Sequence, residues 1–183
     1  AIAGSEEGFA QMMNAQAKKL GMNNSHFANS TGLPDPQLYT TVRDLATLSN
    51  ALIRDFPQYY PTFSIKSFTY NNITQPNRNR LLWRDPSVDG IKTGHHSGAG
   101  YCLMSSAKRD EQRLVAVVMG SDSEKQRAED SLALLNWGFR FYETHKLYEP
   151  GQPVAPVKVW KGKADQVQLG VAQPLLVGVP RGR

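Results

Sequence analysis

Apolar residues at Phe9, Met12, Met13, Ala17 and Leu20 recur at helical spacing and predict an amphipathic first helix. Ser5 followed by Glu6 and Glu7 supplies its N-terminus, and Gly21 suits the left-handed position just past its end. The methionine pair in this stripe reads as core filler, since methionine adapts to irregular gaps. Residues 23–40, "NNSHFANSTGLPDPQLYT", have no period and are rich in Asn, Ser, Gly and Pro, so they predict a long loop. A second helix follows from Thr41. Thr41 and Asp44 have capping-box spacing, Leu45, Leu48 and Leu52 form one stripe, and Pro57 ends it.

From Phe63 to Trp83, β-branched and aromatic residues gather around Asn71-Asn72, predicting a hairpin that leads into an irregular "QPNRNR". "GIKTGH", "YCLMSSA" and "RLVAVVMG" read as consecutive strands, the last two joined by the polar turn "KRDEQ". The near-continuous apolar run 114–119 suits a central strand covered on both faces. A third helix begins near Ser123, with Gln126 at capping-box distance and Ala128, Leu132, Leu135 and Phe139 on one face. After Tyr148 the prolines and glycine of "EPGQPVAP" mark a boundary, beyond which "VKVWKGKADQVQLG" and "PLLVGVP" predict short strands. The pattern describes an α+β fold, an antiparallel sheet flanked by helices, over 1–148. The start of a small β-rich domain follows over 149–183, where two or three strands would be marginal alone.

Composition narrows this picture modestly. A chain of 183 residues, 40% hydrophobic and 20% charged, buries one full core with material left for part of a second unit. Its single cysteine, Cys102, excludes an internal disulfide, and no Cys/His spacing points to zinc. No apolar run approaches the roughly 18 residues of a membrane span. The start carries no visible leader and reads as cut from something larger. A net charge of +5, from 21 basic and 16 acidic residues, favours anionic partners. The basic groups at 77–80 and 161–163 lack the interleaved aromatics of a single-strand groove, so nucleic acid is not expected.

The chemistry concentrates in "VDGIKTGHHSGAGY", residues 88–101. A phosphate loop is excluded, because its glycines must precede the Lys-Thr and a helix must follow. Adjacent His95 and His96 on a strand point to opposite faces and cannot readily share a metal. Two readings remain for K-T-G itself. It is either an ordinary turn with a solvated lysine, or an edge strand beside a cleft. In a cleft, lysine supplies charge, threonine a hydroxyl, and glycine room for a peptide backbone. On a flat strand Lys92 and Thr93 would diverge, so the second reading demands a twisted edge strand.

The segments "NRNRLLW", "VDGIKTGH", "AGY", "RLVAVVMG" and "LLNWGFRFYET" together resemble the low-molecular-mass penicillin-binding proteins of the D-alanyl-D-alanine carboxypeptidase type, over essentially the whole chain. The resemblance implies a partial β-lactamase/transpeptidase-like domain. It also implies a serine-type carboxypeptidase that removes the terminal D-alanine of peptidoglycan stem peptides through an acyl-enzyme, and that β-lactams acylate. It makes Lys92 the catalytic K-T-G lysine and Thr93 a hydrogen-bond partner of the substrate carboxylate. Gly94 would let the peptide lie along the strand, and the His95 N–H would be an oxyanion donor. Arg127 and Arg78 match family arginines of the cleft. It implies no cofactor or metal, and a bacterial periplasmic location peripheral to the inner membrane, through a segment not in this chain.

The motifs S-x-x-K and S-x-N are missing upstream of K-T-G. Ser105-Ser106-Ala107-Lys108 matches S-x-x-K only formally. Activation needs the lysine one helical turn from the serine, whereas positions three apart on a strand face opposite sides. Ser105 is therefore expected to be inert, with the nucleophile outside the chain. A non-catalytic wall-peptide binding module and a β-lactamase are the alternatives.

Overall fold

The computed structural model describes residues 2–182 and divides into two compact units, one up to Trp137 and one from Gly138. In the first unit, α1 (Glu6–Leu20) is capped by Ser5, whose Oγ accepts from Gly8 N at 2.9 Å, and by Gly21 at φ 79°. Its buried positions are Ala10 and Ala17, while Met12 is exposed. The loop 23–40 is fixed by side chains from both flanking helices. Asn14 exchanges two 2.8 Å bonds with the Phe27 backbone, and the buried Asp44 accepts from Asn24 N at 2.8 Å and Ser25 Oγ at 2.7 Å. α2 (Val42–Asp55) begins at Thr41, whose Oγ1 accepts from Asp44 N at 3.1 Å.

A 3₁₀ turn (Tyr60–Ser64) precedes β1 (Ser67–Tyr70) and β2 (Ile73–Pro76), paired antiparallel with Tyr70 opposite Ile73. Asn71 and Asn72 stand at φ 48° and 59°, the left-handed pair that a two-residue hairpin turn requires and asparagine tolerates. Inside the stretch expected to be hairpin and irregular chain lies a short helix, α3 (Leu81–Arg84). The burial of Leu81 and Leu82 anchors it.

The central sheet is antiparallel, β3 (Val88–His96), β4 (Gly100–Arg109) and β5 (Gln112–Ser121), in the order β3-β4-β5. The strand between two neighbours is thus β4, not the apolar run 114–119, which lies in the outer strand β5. A continuous apolar run reports coverage of a strand's two faces and says nothing of its edges; α2 packs on β5. On β4 the large Leu103 and the small Ser105, Ser106 and Ala107 are all 1% exposed or less.

α4 (Glu124–Phe141) follows, with Gln126 N donating to Ser123 Oγ at 3.1 Å. In the second unit β6 (Tyr142–Tyr148) pairs with β9 (Leu175–Pro180), and β7 (Pro153–Lys158) with β8 (Gln166–Gly170), all antiparallel. The division between units therefore falls before the 148/149 boundary set from the sequence. Residues 142–148 are a strand whose partner, 175–180, lies at the far end of the second unit. Proline and glycine mark a turn, and this turn sits inside the second unit.

Candidate active site

β3 is an edge strand of its sheet, and Lys92 and Thr93 both line one groove of about 690 Å³ alongside it. Two neighbouring residues of this edge strand thus border a single cleft. Gly94 borders the same groove. A Cβ there would meet only Cys102 Cβ, at 3.9 Å, so no packing within the chain demands glycine. The missing side chain leaves room on the open side. His95 stacks its ring on Tyr101 with centroids 3.9 Å apart, and His96 Nδ1 accepts from Gly98 N at 3.1 Å in the turn. The two imidazoles thus have separate structural partners.

Arg127 on α4 is 3% exposed and lies 5.5 Å over the Tyr101 ring. Its Nη1 donates to Gly94 O at 3.3 Å, and its Nη2 to Arg78 O at 3.4 Å and Glu124 Oε1 at 3.5 Å. One guanidinium therefore ties the K-T-G strand to the segment carrying Arg78, while its charge faces the groove. Arg78 is exposed and lines the groove. Lys92 Nζ donates to Thr93 O. Partial burial of the amine, then the charges of Arg78 and Arg127, hold the Lys92 ammonium below its ordinary pKa. A lysine so placed releases its proton more readily, in a site whose remaining charges attract an anion.

Two supporting groups escaped the sequence reading. Asn79, 1% exposed, donates from Nδ2 to Gly90 O at 2.9 Å and accepts from Leu81 N at 3.1 Å. Asn77 Oδ1 accepts from Asn79 N at 2.9 Å, and Asn77 Nδ2 donates to Ile65 O at 3.0 Å. The asparagines on either side of Arg78 pin its backbone and fix the start of the K-T-G strand. The signal available was the spacing N-x-N in a loop, since asparagine there bonds backbone.

The second group lies beneath β3. Ser106 Oγ meets Tyr60 Oη at 2.5 Å and donates to Asp89 Oδ1 at 2.5 Å, and Arg113 grips both Asp89 oxygens at 2.9 and 2.7 Å. Burial pushes the Tyr60 phenol up to about 12. Ser105 is wholly buried, with Oγ donating to Ala116 O at 3.3 Å, and it does not line the groove. Its apparent S-x-x-K partnership with Lys108 has no geometric basis. Among the described residues no three His, Cys, Asp or Glu side chains form a metal-binding group.

Residues 1–123 match the family model described as D-alanyl-D-alanine carboxypeptidase, and residues 142–183 match that of the penicillin-binding protein 5 C-terminal domain. D-alanyl-D-alanine carboxypeptidase DacC of Escherichia coli (strain K12) is 45% identical over 183 residues, 100% of this chain and 46% of that protein. DacF of Bacillus subtilis (strain 168) is 37% identical over 185 residues, 99% of this chain and 48% of that protein. Penicillin binding protein 5 from Haemophilus influenzae superposes with a TM-score of 0.88 at 41% identity, covering 99% of this chain and 53% of that one. Penicillin-binding protein D2 from Listeria monocytogenes, in its cefotaxime-bound form, superposes at 0.67 with 33% identity, covering 72% and 55%. The chain spans about half the length of the curated relatives it matches.

Proposed function

The chain belongs to the D-alanyl-D-alanine carboxypeptidase family, and from that premise we propose that the whole protein cleaves the terminal D-alanine from peptidoglycan stem peptides by serine acyl transfer. The observation that carries this reading is the convergence of Lys92, Thr93, Arg78 and Arg127 on one groove beside an edge strand. A peptide laid along β3 would place its terminal carboxylate at the Thr93 hydroxyl in the field of the two arginines. The nucleophilic serine comes from a part of the protein outside these residues. Its Oγ bonds to the carbonyl carbon of the penultimate D-alanine, and its proton is relayed through the Lys92 amine, whose lowered pKa suits it to the task, to the departing nitrogen. The C–N bond breaks and D-alanine leaves. Water then cleaves the ester, returning the proton to the serine.

The His95 N–H would stabilise the oxyanion, and its ring, engaged with Tyr101, needs no chemical role. β-Lactams would acylate the same serine. The proposal places the protein in the bacterial periplasm, at the inner membrane through a segment outside this chain; among the described residues no helix is long and apolar enough to cross a membrane.

The test is to incubate the full-length protein with labelled penicillin and, separately, with a peptide ending in D-Ala-D-Ala. Covalent label on one serine outside residues 105–106, with D-alanine release, both lost in Lys92→Ala, is the expected result. Peptide binding with neither label nor release would replace the proposal with a binding module, and rapid release of hydrolysed penicillin would indicate a β-lactamase.

A further inference from the structure

The groove is lined by three cations, Arg78, Lys92 and Arg127, and among the described residues by a single acid, Glu124. Glu124 opens α4 directly after the Ser123 cap, and its side chain is 51% exposed. Its Oε1 lies 3.5 Å from Arg127 Nη2, and among the described residues no other carboxylate pairs with that guanidinium. Two more arginines of the same unit give the comparison. Arg109 and Arg113, with side chains 36% and 27% exposed, each hold an aspartate at 2.7 Å. The Arg127 side chain is only 4% exposed, yet its carboxylate partner is the most distant of the three. Burial normally demands the opposite, because a desolvated cation needs the closest compensation. Its bonds to Gly94 O and Arg78 O, at 3.3 and 3.4 Å, are also long.

An acid this loosely held stands at the guanidinium in whose field the terminal carboxylate of the substrate is placed. We propose that Glu124 is a resident competitor for that carboxylate. It partners Arg127 while the groove is free and yields when a peptide with a free C-terminus arrives, so it sets how tightly such ends are held. Yielding costs little. The side chain is already half in water, and the N-terminal turn of α4 favours a negative charge close by. The charges bearing on Lys92 are those of Arg78 and Arg127, so Glu124 acts on binding and leaves the proton relay alone. The role presupposes the function proposed above and adds a residue that sets its affinity for free C-termini.

The experiment compares the full-length wild-type protein with Glu124→Gln, which removes the charge and keeps an acceptor oxygen within reach of Arg127. D-Alanine release is followed on a peptide ending in D-Ala-D-Ala. Anisotropy is followed on two fluorescent analogues whose scissile bond is N-methylated to resist cleavage, one ending in a carboxylate and the other in a carboxamide. The variant is expected to bind the acid-ended analogue about threefold tighter and to lower KM for the peptide by a similar factor with kcat held, the gap closing as salt is added. The carboxamide analogue binds both proteins alike. A role confined to the start of α4 would move neither affinity. An acid-ended affinity that is unchanged or weaker in the variant, or an equal gain for both analogues, would overturn the competitor. If the wild-type protein releases no D-alanine, the proposed function fails and the two analogues still decide. The competitor then stands if only the acid-ended analogue gains, and falls otherwise.

Discussion

Replacing Asn79 by alanine tests whether the brace behind the K-T-G strand holds as described. The side chain is 1% exposed and satisfies two backbone groups, Gly90 C=O and Leu81 N–H, at 2.9 and 3.1 Å. Each partner, left unsatisfied in the interior, costs about 1–3 kcal/mol, so the variant should lose about 2–5 kcal/mol after partial relaxation or water entry. Urea unfolding followed by tryptophan fluorescence reads this as a lower midpoint at unchanged slope. Asn79→Asp sharpens the test. Its carboxylate can accept from Leu81 N but cannot donate to Gly90 O, and burial beside that carbonyl raises its folded-state pKa. The charged form is therefore penalised, and the deficit should shrink as pH falls through the raised pKa, because the protonated acid restores a donor. A loss below about 0.5 kcal/mol for Asn79→Ala, as for an ordinary surface change, would refute the brace. So would a deficit in Asn79→Asp that does not vary with pH.

Other expectations follow from the same geometry. Burial holds the Tyr60 phenol at about 12, above its ordinary value of 10, so its stabilising contribution is complete below pH 10 and lost as pH rises toward 12. Tyr60→Phe should remove that alkaline decline while costing about 1 kcal/mol at neutral pH through the lost bond to Ser106, as alkaline unfolding would show. Arg78→Gln removes a positive charge that holds the Lys92 pKa down. The Lys92 titration, followed by NMR, and the acid limb of the penicillin acylation rate should both move to higher pH; a stationary or downward limb would contradict proton relay through this amine. Ser105→Ala should leave acylation intact and cost about 1 kcal/mol, since its hydroxyl meets only Ala116 O. Loss of labelling in that variant would reinstate the strand serine.

Local signals in the sequence proved legible where the physics is local. Ser5, Gly21, Thr41 and Ser123 mark helix ends because each cap acts within a few residues of itself, and Asn71-Asn72 marks the hairpin for the same reason. The strand with Lys92 and Thr93 is at the edge that the cleft reading demanded. Asn79 was not legible, because its partner Gly90 is eleven residues on and the bond depends on α3. α3 is too short for a periodic pattern, and β6 follows α4 without any breaker residue to announce the change. The buried position of Arg127 was likewise hidden, since its partners Gly94 O and Arg78 O are backbone atoms and lie 33 and 49 residues away.

β4 is the sheet's middle layer, and its most enclosed positions, Ser105, Ser106 and Ala107, carry almost no bulk. Truncation there would therefore remove little apolar bulk, unlike truncation of the buried Leu103 on the same strand. Enlargement by even one or two methyl groups would press on the layers packed above and below the sheet and strain β4 against Ile91 and Lys92, which pair with Ser105 and Met104. At Ser105 and Ala107 the constraint is therefore chiefly on girth, whereas Ser106 must also keep the hydroxyl that Tyr60, Asp89 and Arg113 engage.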